Sequence, residues 1–345
     1  MKKSMLTLGI ETSCDETSFA IVRDGHKILS NAVVSSLKEQ RPYGGIVPEI
    51  ASRAHVETVL PVLEAALKKA RVPLKKIDLI AVTQGPGLMG SLLVGLSAAK
   101  SLSLALGKPL VGVDHVVAHL YSGVLSDRTL RFPFLGLVIS GGHTMLIRME
   151  SAARYKILGS TIDDAAGEAF DKVAKILGLG YPGGPEVERL SRGQDTSRFY
   201  FTRPFLSNDS YNFSFSGIKT AVFYKVEGLR KEKKFTPAVK KALAAGFQEA
   251  VCETLVKKTL RAAEAEGLSS IVVGGGVSAN GRLRALFTAA SKGKKLKIVF
   301  PEMRLCQDNA AMIAACGAAL YKEGRRDTLE LSSYSDFHGN QTRRV

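Results

Sequence analysis

The sequence predicts a two-lobed α/β protein, and three observations carry that expectation. Short strands rich in Ile, Leu and Val alternate with helices whose apolar residues recur at three and four. The strand pattern restarts partway along the chain, as in a duplicated unit. The 345 residues, 45% of them hydrophobic, are enough to fill two cores.

In chain order, "MLTLGIE", "SFAIVRD" and "KILSNAVVSS" read as three successive strands separated by turn residues. A helix fits "PEIASRAHVETVLPVLEAALKKARV", with basic residues at its C-terminal end. Pro61 is expected to kink or split it, because proline has no N–H to donate. "IDLIAVTQ" follows as a buried strand, then the glycine loop "GPGLMG" and the helix "SLLVGLSAAKSLSLALG". A short strand, "PLVGVDH", leads into "HVVAH". Then "PFLGLVIS", "TMLIRME" and "YKILGST" read as three more strands, with a helix near "GEAFDKVAKILGLG". At a constant offset of 127 residues, Leu8, Gly9, Ser13 and Thr17 recur as Leu135, Gly136, Ser140 and Thr144. Four matches in ten positions are weak alone. They gain weight by falling on the same strand-turn-strand pattern, the mark of a repeated β-β-β-α unit.

A long irregular insertion, "YPGGPEVERLSRGQDTSRFYFTRPFLSNDSYNFSFSGIK", comes next, followed by the basic run "GLRKEKKFTPAVKKAL". Two further strand-loop-helix units are "SIVVGGGVSANGRLRALFTAA" and "KIVFPEMRLCQDNAAMIAACGAAL". The polar tail "SDFHGNQTRRV" is expected to fray.

Charge is lopsided: 48 Lys and Arg against 32 Asp and Glu, a net of +16. That balance favours an anionic partner, nucleic acid foremost. Cys14, Cys252, Cys306 and Cys316 form no Cys-x-x-Cys pair, which fits a reducing compartment. The first apolar stretch is too short for a signal peptide, and no uninterrupted apolar run reaches spanning length. A cytoplasmic location is expected.

Two features have the makings of chemistry. His115 and His119 share one face if their segment is helical, and two imidazoles so placed can hold one metal ion. A metalloprotease would need a glutamate after the first histidine, where this chain has Val116. Spacing alone leaves a metal site and a pair of ordinary core or surface histidines equally open. The second feature is three glycine loops after strands, Gly85–Gly90, Gly141–Gly142 and Gly274–Gly276. Glycine lets backbone N–H groups approach an anion. None is a phosphate loop or a dinucleotide fingerprint, but together they suggest an interlobe cleft for a phosphorylated ligand. Ser140, Gly141 and Gly142 can clamp a phosphate or carboxylate. Asn280 suits a purine and ribose contact, or a helix N-cap before "GRLRALF", or both.

Taken in order, "GIETSCDET", "GPGLMGSL", "HVVAH", "VISGGHT", "GEAFDKVAKILGLGYPGGP", "FSFSGIKTA", "GGGVSANGRLR" and "QDNAAMIA" resemble the family of tRNA N6-adenosine threonylcarbamoyltransferases. The likeness is to the bacterial TsaD type, formerly described as O-sialoglycoprotein endopeptidases, and runs from about Leu6 to Leu320. It implies an actin-like, Hsp70-like and sugar-kinase-like (ASKHA) fold, with duplicated ribonuclease-H-like units around a central cleft. The N-terminal lobe would be residues 1–114 plus about 305–335. The second would be 115–304 with an insertion at about 181–240, before a polar tail at 336–345.

The resemblance implies an acyltransferase. The threonylcarbamoyl group would move from threonylcarbamoyl-adenylate to N6 of the adenosine 3′ to the anticodon, in tRNAs reading codons that start with A, releasing AMP. It also implies one divalent metal, Fe(II) first and Zn(II) second, on His115, His119 and Asp308. Without the family, Asp308 would read as a helix N-cap. Val138, Ile139, Ser140, Gly141 and Gly142 would hold the adenylate, with Asp171, Gly184, Glu188 and Asn280 as further contacts. Glu188 stands where many members carry aspartate. Glu11, in the first hairpin, is expected to point at the cleft, as a catalytic group that accepts the amine proton or positions the adenine. Its plainer reading is a polar strand end. The implied partners are tRNA, a smaller paralogue of the same fold (TsaB-like) and a small ATPase (TsaE-like). The basic segments at 229–234 and 292–297 would hold tRNA phosphates or merely be solvated. Rival readings are a metal-dependent glycoprotease, a small-molecule kinase of the same fold and a non-catalytic nucleotide-binding scaffold.

Overall fold

The computed structural model describes residues 4–204 and 209–336, so the polar tail beyond 336 lies outside the described residues. The chain forms two compact units. One is Met1–Leu130 with Glu150–Tyr155 and Pro301–Val345; the other is Arg131–Met149 with Lys156–Phe300.

The first unit is built on β1 (Leu6–Glu11), β2 (Glu16–Arg23), β3 (Lys27–Ser35), β4 (Leu79–Gly85) and β5 (Leu110–Asp114), in the spatial order β3-β2-β1-β4-β5. β1 pairs antiparallel with β2 and parallel with β4, and β4 is parallel to β5. The sheet carries α1 (Leu37–Gln40), α2 (Pro48–Ala70), α3 (Met89–Leu106) and α4 (His115–Ser126). Strand alternation sorts the side chains. Leu8, Ile10, Phe19 and Ile21 form one core with Val62, Leu63 and Leu96 of α2 and α3. Fully burying each such side chain contributes about 1.5–3 kcal/mol. α2 runs unbroken through Pro61, which is exposed, so the split expected from the sequence does not occur. Among the described residues α3 is the one helix long and apolar enough to cross a membrane. Its Leu92, Leu96 and Ala99 are buried.

The second unit repeats the plan with β6 (Phe134–Ile139), β7 (Thr144–Met149), β8 (Tyr155–Ser160), β9 (Ser270–Gly274) and β10 (Lys297–Val299), ordered β10-β9-β6-β7-β8. The duplication holds at the level of register. Gly9 faces Ala20 across the first hairpin, and adding 127 to each number gives Gly136 facing Ile147 across the second. The helices are α5 (Ala166–Ile176), α6 (Gly183–Ser191), α7 (Ser216–Lys231), α8 (Pro237–Ala265) and α9 (Gly281–Ser291). The insertion is thus partly helical. α8 is a 29-residue helix that begins within the basic run and continues through residues the sequence pattern did not assign. Thr236 caps it by accepting from the Val239 N–H, with Pro237 at its first turn. Leu243, Phe247, Val251 and Leu255 of α8 join Leu135, Leu137, Phe170, Val222, Ile271 and Phe287 in one apolar cluster.

The last helix, α10 (Ala310–Lys322), belongs to the first unit. It lies where Gly9, Ala20 and Val22 face, so close that a Cβ on Gly9 would overlap the Ala310 carbonyl oxygen. The buried Ser18 hydroxyl accepts from the Ala310 N–H at 2.9 Å and fixes where α10 starts. The unit boundary differs from the sequence expectation. It falls after Leu130 and not after residue 114, because α4 packs against β5, β4 and α10 of the first unit. The histidine helix is therefore an N-terminal-unit element.

Candidate active site

α4 begins at an aspartate cap. Asp114 accepts from the Val117 N–H at 2.9 Å, so the helix starts at His115. Four residues on, His119 lies on the same face, with ring centroids 4.7 Å apart. Both rings are buried. Asp308 reaches them from the turn before α10. Its Oδ1 lies 3.6 Å from His115 Nε2 and 3.4 Å from His119 Nε2. Asp308 is not the cap of α10. Asn309 is, accepting from the Met312 N–H at 3.0 Å, and the adjacent aspartate is left to face the histidines. One donor atom from each of the three residues lies within 4.8 Å of the others. Two imidazoles and one carboxylate at that spacing fit a divalent first-row metal with open positions.

Glu11 stands behind this set. It is fully buried at the end of β1. Its Oε2 meets His115 Nδ1 at 3.0 Å and accepts from the Thr83 hydroxyl at 2.7 Å. Its Oε1 accepts from the Ser13 N–H at 2.6 Å. The expectation that Glu11 points at an open cleft is revised accordingly: its oxygens are engaged and it has no exposed surface. Burial alone would raise its carboxyl pKa, but the His115 charge and the hydrogen bonds from His115, Ser13 and Thr83 hold it at about 2. Burial alone would lower that of His115, but the Glu11 and Asp308 carboxylates raise it to about 9. Burial pushes Asp308 up to about 6, against the pull of His115. With Nδ1 committed to Glu11, the Nε2 of His115 is the atom presented to Asp308 and a metal.

The three glycine loops part company. Gly85–Gly90 is glycine-rich for packing. A Cβ on Gly85 would overlap the Tyr334 carbonyl oxygen, one on Gly87 would come within 2.6 Å of the Ser13 oxygen, and one on Gly90 within 2.5 Å of the Ser52 hydroxyl. In the second unit, Gly141, Gly142, Gly184 and Gly276 have nothing within 4 Å of a Cβ position. Gly275, at φ +89°, backs onto the Ile139 carbonyl and brings the β9–α9 loop against the β6–β7 hairpin. Open backbone at Gly141, Gly142 and Gly276 therefore lies at the carboxyl ends of the neighbouring parallel strands β6 and β9, where open α/β sheets place ligands.

The remaining predicted contacts fall in the second unit too. Val138 and Ile139 are fully buried strand residues, so only Ser140, Gly141 and Gly142 of that segment are accessible as a tip. Asp171 Oδ1 accepts from the Gly183 N–H at 2.7 Å, at the start of α6. Glu188, on α6, accepts from the Gly281 N–H at 3.0 Å, at the start of α9. Asn280 caps α9, accepting from the Leu283 N–H, and donates to Gln248 at 2.8 Å. Asp171 and Gly184 thus meet at one helix end, Glu188 and Asn280 at the next, with α6 joining them. Sequence reasoning missed Thr83 and Ser13 as supports of Glu11. It also missed Tyr334, whose hydroxyl donates to the Asp114 cap at 2.8 Å. No local pattern marks these contacts, since their partners are distant in sequence. The 229–234 run ends α7, and 292–295 is an exposed turn before β10.

A family model described as tRNA N6-adenosine threonylcarbamoyltransferase (TsaD) matches residues 27–315. The protein of that description from Thermosipho africanus is 50% identical over 320 residues, 93% of this chain and 96% of that one. Its counterpart from Symbiobacterium thermophilum is 50% identical over 328 residues, 95% of each. Among solved structures, HypF from T. kodakarensis superposes with a TM-score of 0.65 at 14% identity, covering 93% of this chain and 48% of that one. Component A of the Acidaminococcus fermentans (R)-2-hydroxyglutaryl-CoA dehydratase does so at 0.52 and 15%, covering 92% and 97%. These structural likenesses show the fold, which is of the ASKHA type.

Proposed function

The chain belongs to the tRNA N6-adenosine threonylcarbamoyltransferase family, and from that premise we propose how its residues divide the work. It is a transferase that moves a threonylcarbamoyl group to N6 of an adenosine in tRNA. The glycoprotease and small-molecule kinase readings are not favoured by these relatives.

We propose threonylcarbamoyl-adenylate as the donor. An adenine amine is a poor nucleophile because its lone pair is delocalised into the ring, so the acyl group must arrive activated, as in a mixed anhydride with AMP. The observation that carries the residue assignment is the convergence of His115, His119 and Asp308. A divalent ion held by those three, Fe(II) or Zn(II), would supply Lewis acidity toward oxygens of the donor. Glu11 fixes the tautomer and orientation of His115 and does not act on the amine. The Ser140–Gly142 tip, whose glycines leave its backbone open, binds the AMP phosphate. Glu188 holds α9 through Oε1, and its Oε2 is assigned to a ribose hydroxyl. Asp171 and Asn280 act by fixing the helix starts that carry Gly184 and Gly281.

We also assign a smaller paralogue of the same fold and a small ATPase as partners, and the cytoplasm as the compartment. An open apolar groove between α2 and α3 is the face for the paralogue. Val56, Leu60 and Leu93 line it and are 64%, 65% and 50% exposed.

The test is a reconstitution: chain, partners, donor and unmodified tRNA, with the nucleosides analysed by mass. The wild type yields the modified adenosine. His115→Ala loses the product at least about 100-fold and binds no metal. Full activity of that variant without metal would overturn the assignment.

A further inference from the structure

We propose that the second unit carries a stacking platform for unpaired RNA bases, centred on Tyr200 and Arg203 and flanked by Lys225 of α7. The proposal rests on the reading that the chain acts on tRNA and names the surface that grips the loop.

Tyr200 is 77% exposed. The Arg203 guanidinium lies 4.4 Å from its centroid and covers one face. Arg203 is itself held. Its Nε lies 3.2 Å from Glu253 of α8, and its side chain is only 10% exposed. Tyr200 thus rests on a fixed cation, and its exposure leaves the ring accessible to a base. A base stacking there completes a cation–ring–base sandwich and orders little that is not already ordered.

The neighbouring ring extends the surface. Phe199 packs its backbone against Gly246 of α8, where a Cβ would overlap the Phe199 carbonyl oxygen. The Lys225 Nζ lies 5.7 Å from the Phe199 centroid. Next to Lys225 on α7, Tyr224 is 69% exposed and sits edge-on to Phe223. Tyr200 therefore rests on Arg203, and the neighbouring Phe199 ring lies beside the Lys225 ammonium, in a chain whose net charge is +16.

That composition selects the occupant. Unpaired nucleotides offer a π-face for the Tyr200 ring and a phosphate for Lys225. Duplex RNA keeps its bases stacked within the helix and offers only phosphates.

The absence of tryptophan from the chain makes the test direct. Tyr200→Trp keeps a stacking ring and introduces one fluorophore. We expect its emission to be quenched by an anticodon stem-loop RNA, with affinity equal to wild type. Tyr200→Ala should bind the same stem-loop about 5-fold to 100-fold more weakly. It should bind a blunt RNA duplex as wild type does. Lys225→Gln should lower the slope of log affinity against log salt by about 0.7. Tyr200→Ala binding the stem-loop within twofold of wild type, or a Tyr200→Trp emission unmoved at saturating RNA, would overturn the platform. So would a loss confined to a protein partner. If the wild type modified no tRNA yet Tyr200→Trp were quenched, the platform would stand and the proposed reaction would fall. Wild-type modification with an indifferent Tyr200→Ala would remove the platform alone.

Discussion

Single side chains set the electrostatics of the candidate site. His115 is pinned between two carboxylates, and Glu11 can only be an acceptor at ordinary pH. Glu11→Gln should therefore weaken metal binding about 10-fold to 100-fold in a direct titration of the purified chain, independent of any transfer assay. Equal affinity would show that the amide orients the ring as well as the carboxylate does. Elsewhere Asp164 is gripped by Lys172 at 2.6 Å and by Lys219 at 2.8 Å. Burial would raise its pKa, but the two lysines outweigh it and hold the carboxyl below its ordinary value. A depressed carboxylate stabilises the fold above its unfolded pKa of about 4, and that contribution fades as pH falls through the folded value. Asp164→Asn should lose about 1–3 kcal/mol at pH 7 in denaturant unfolding. The gap from wild type should narrow below about pH 4. A gap constant across that range would mean that the ion pairs contribute nothing.

Elements were legible where a local rule governs them. The strands and the long amphipathic helices follow from apolar period and turn residues, and the Asn280 cap of α9 from its residue type. α8 escaped notice because its apolar residues run all round a helix buried in the core, which blurs the amphipathic stripe. α2 keeps its helix through Pro61 because tertiary packing overrides the local break. α10 shows why small residues matter between elements: Gly9 admits the Ala310 carbonyl, and Gly317 admits Ala81. Gly9→Ala should cost roughly 3 kcal/mol or more, seen as a lower denaturant midpoint, because backbone on both sides must separate. A midpoint equal to wild type would show that α10 can shift without loss.

For the whole molecule, the 127-residue offset is the most informative sequence signal, and it survives as equal register in two hairpins. The offset could not place α4. A boundary before His115 looks natural in sequence, yet packing assigns the histidine helix to the unit that also holds α10 and Asp308. The α2–α3 groove is a property of the assembled surface. Leu60→Asp should abolish co-purification with the proposed paralogous partner while leaving metal content unchanged. Retained pairing would move the interface elsewhere.

The sequence by itself determined the strands, the duplicated plan, the histidine pair and, through its motifs, the family. These depend on residue type and spacing within short windows, where backbone geometry is dictated locally. The family resemblance assigned Asp308 to the histidines, but only the tertiary structure decided how it reaches them from about 190 residues away, that Glu11 backs the histidine instead of facing substrate, and that the first glycine loop serves packing while Gly141, Gly142 and Gly276 stay open. Those outcomes depend on which distant surfaces are pressed together, and no local spacing encodes that.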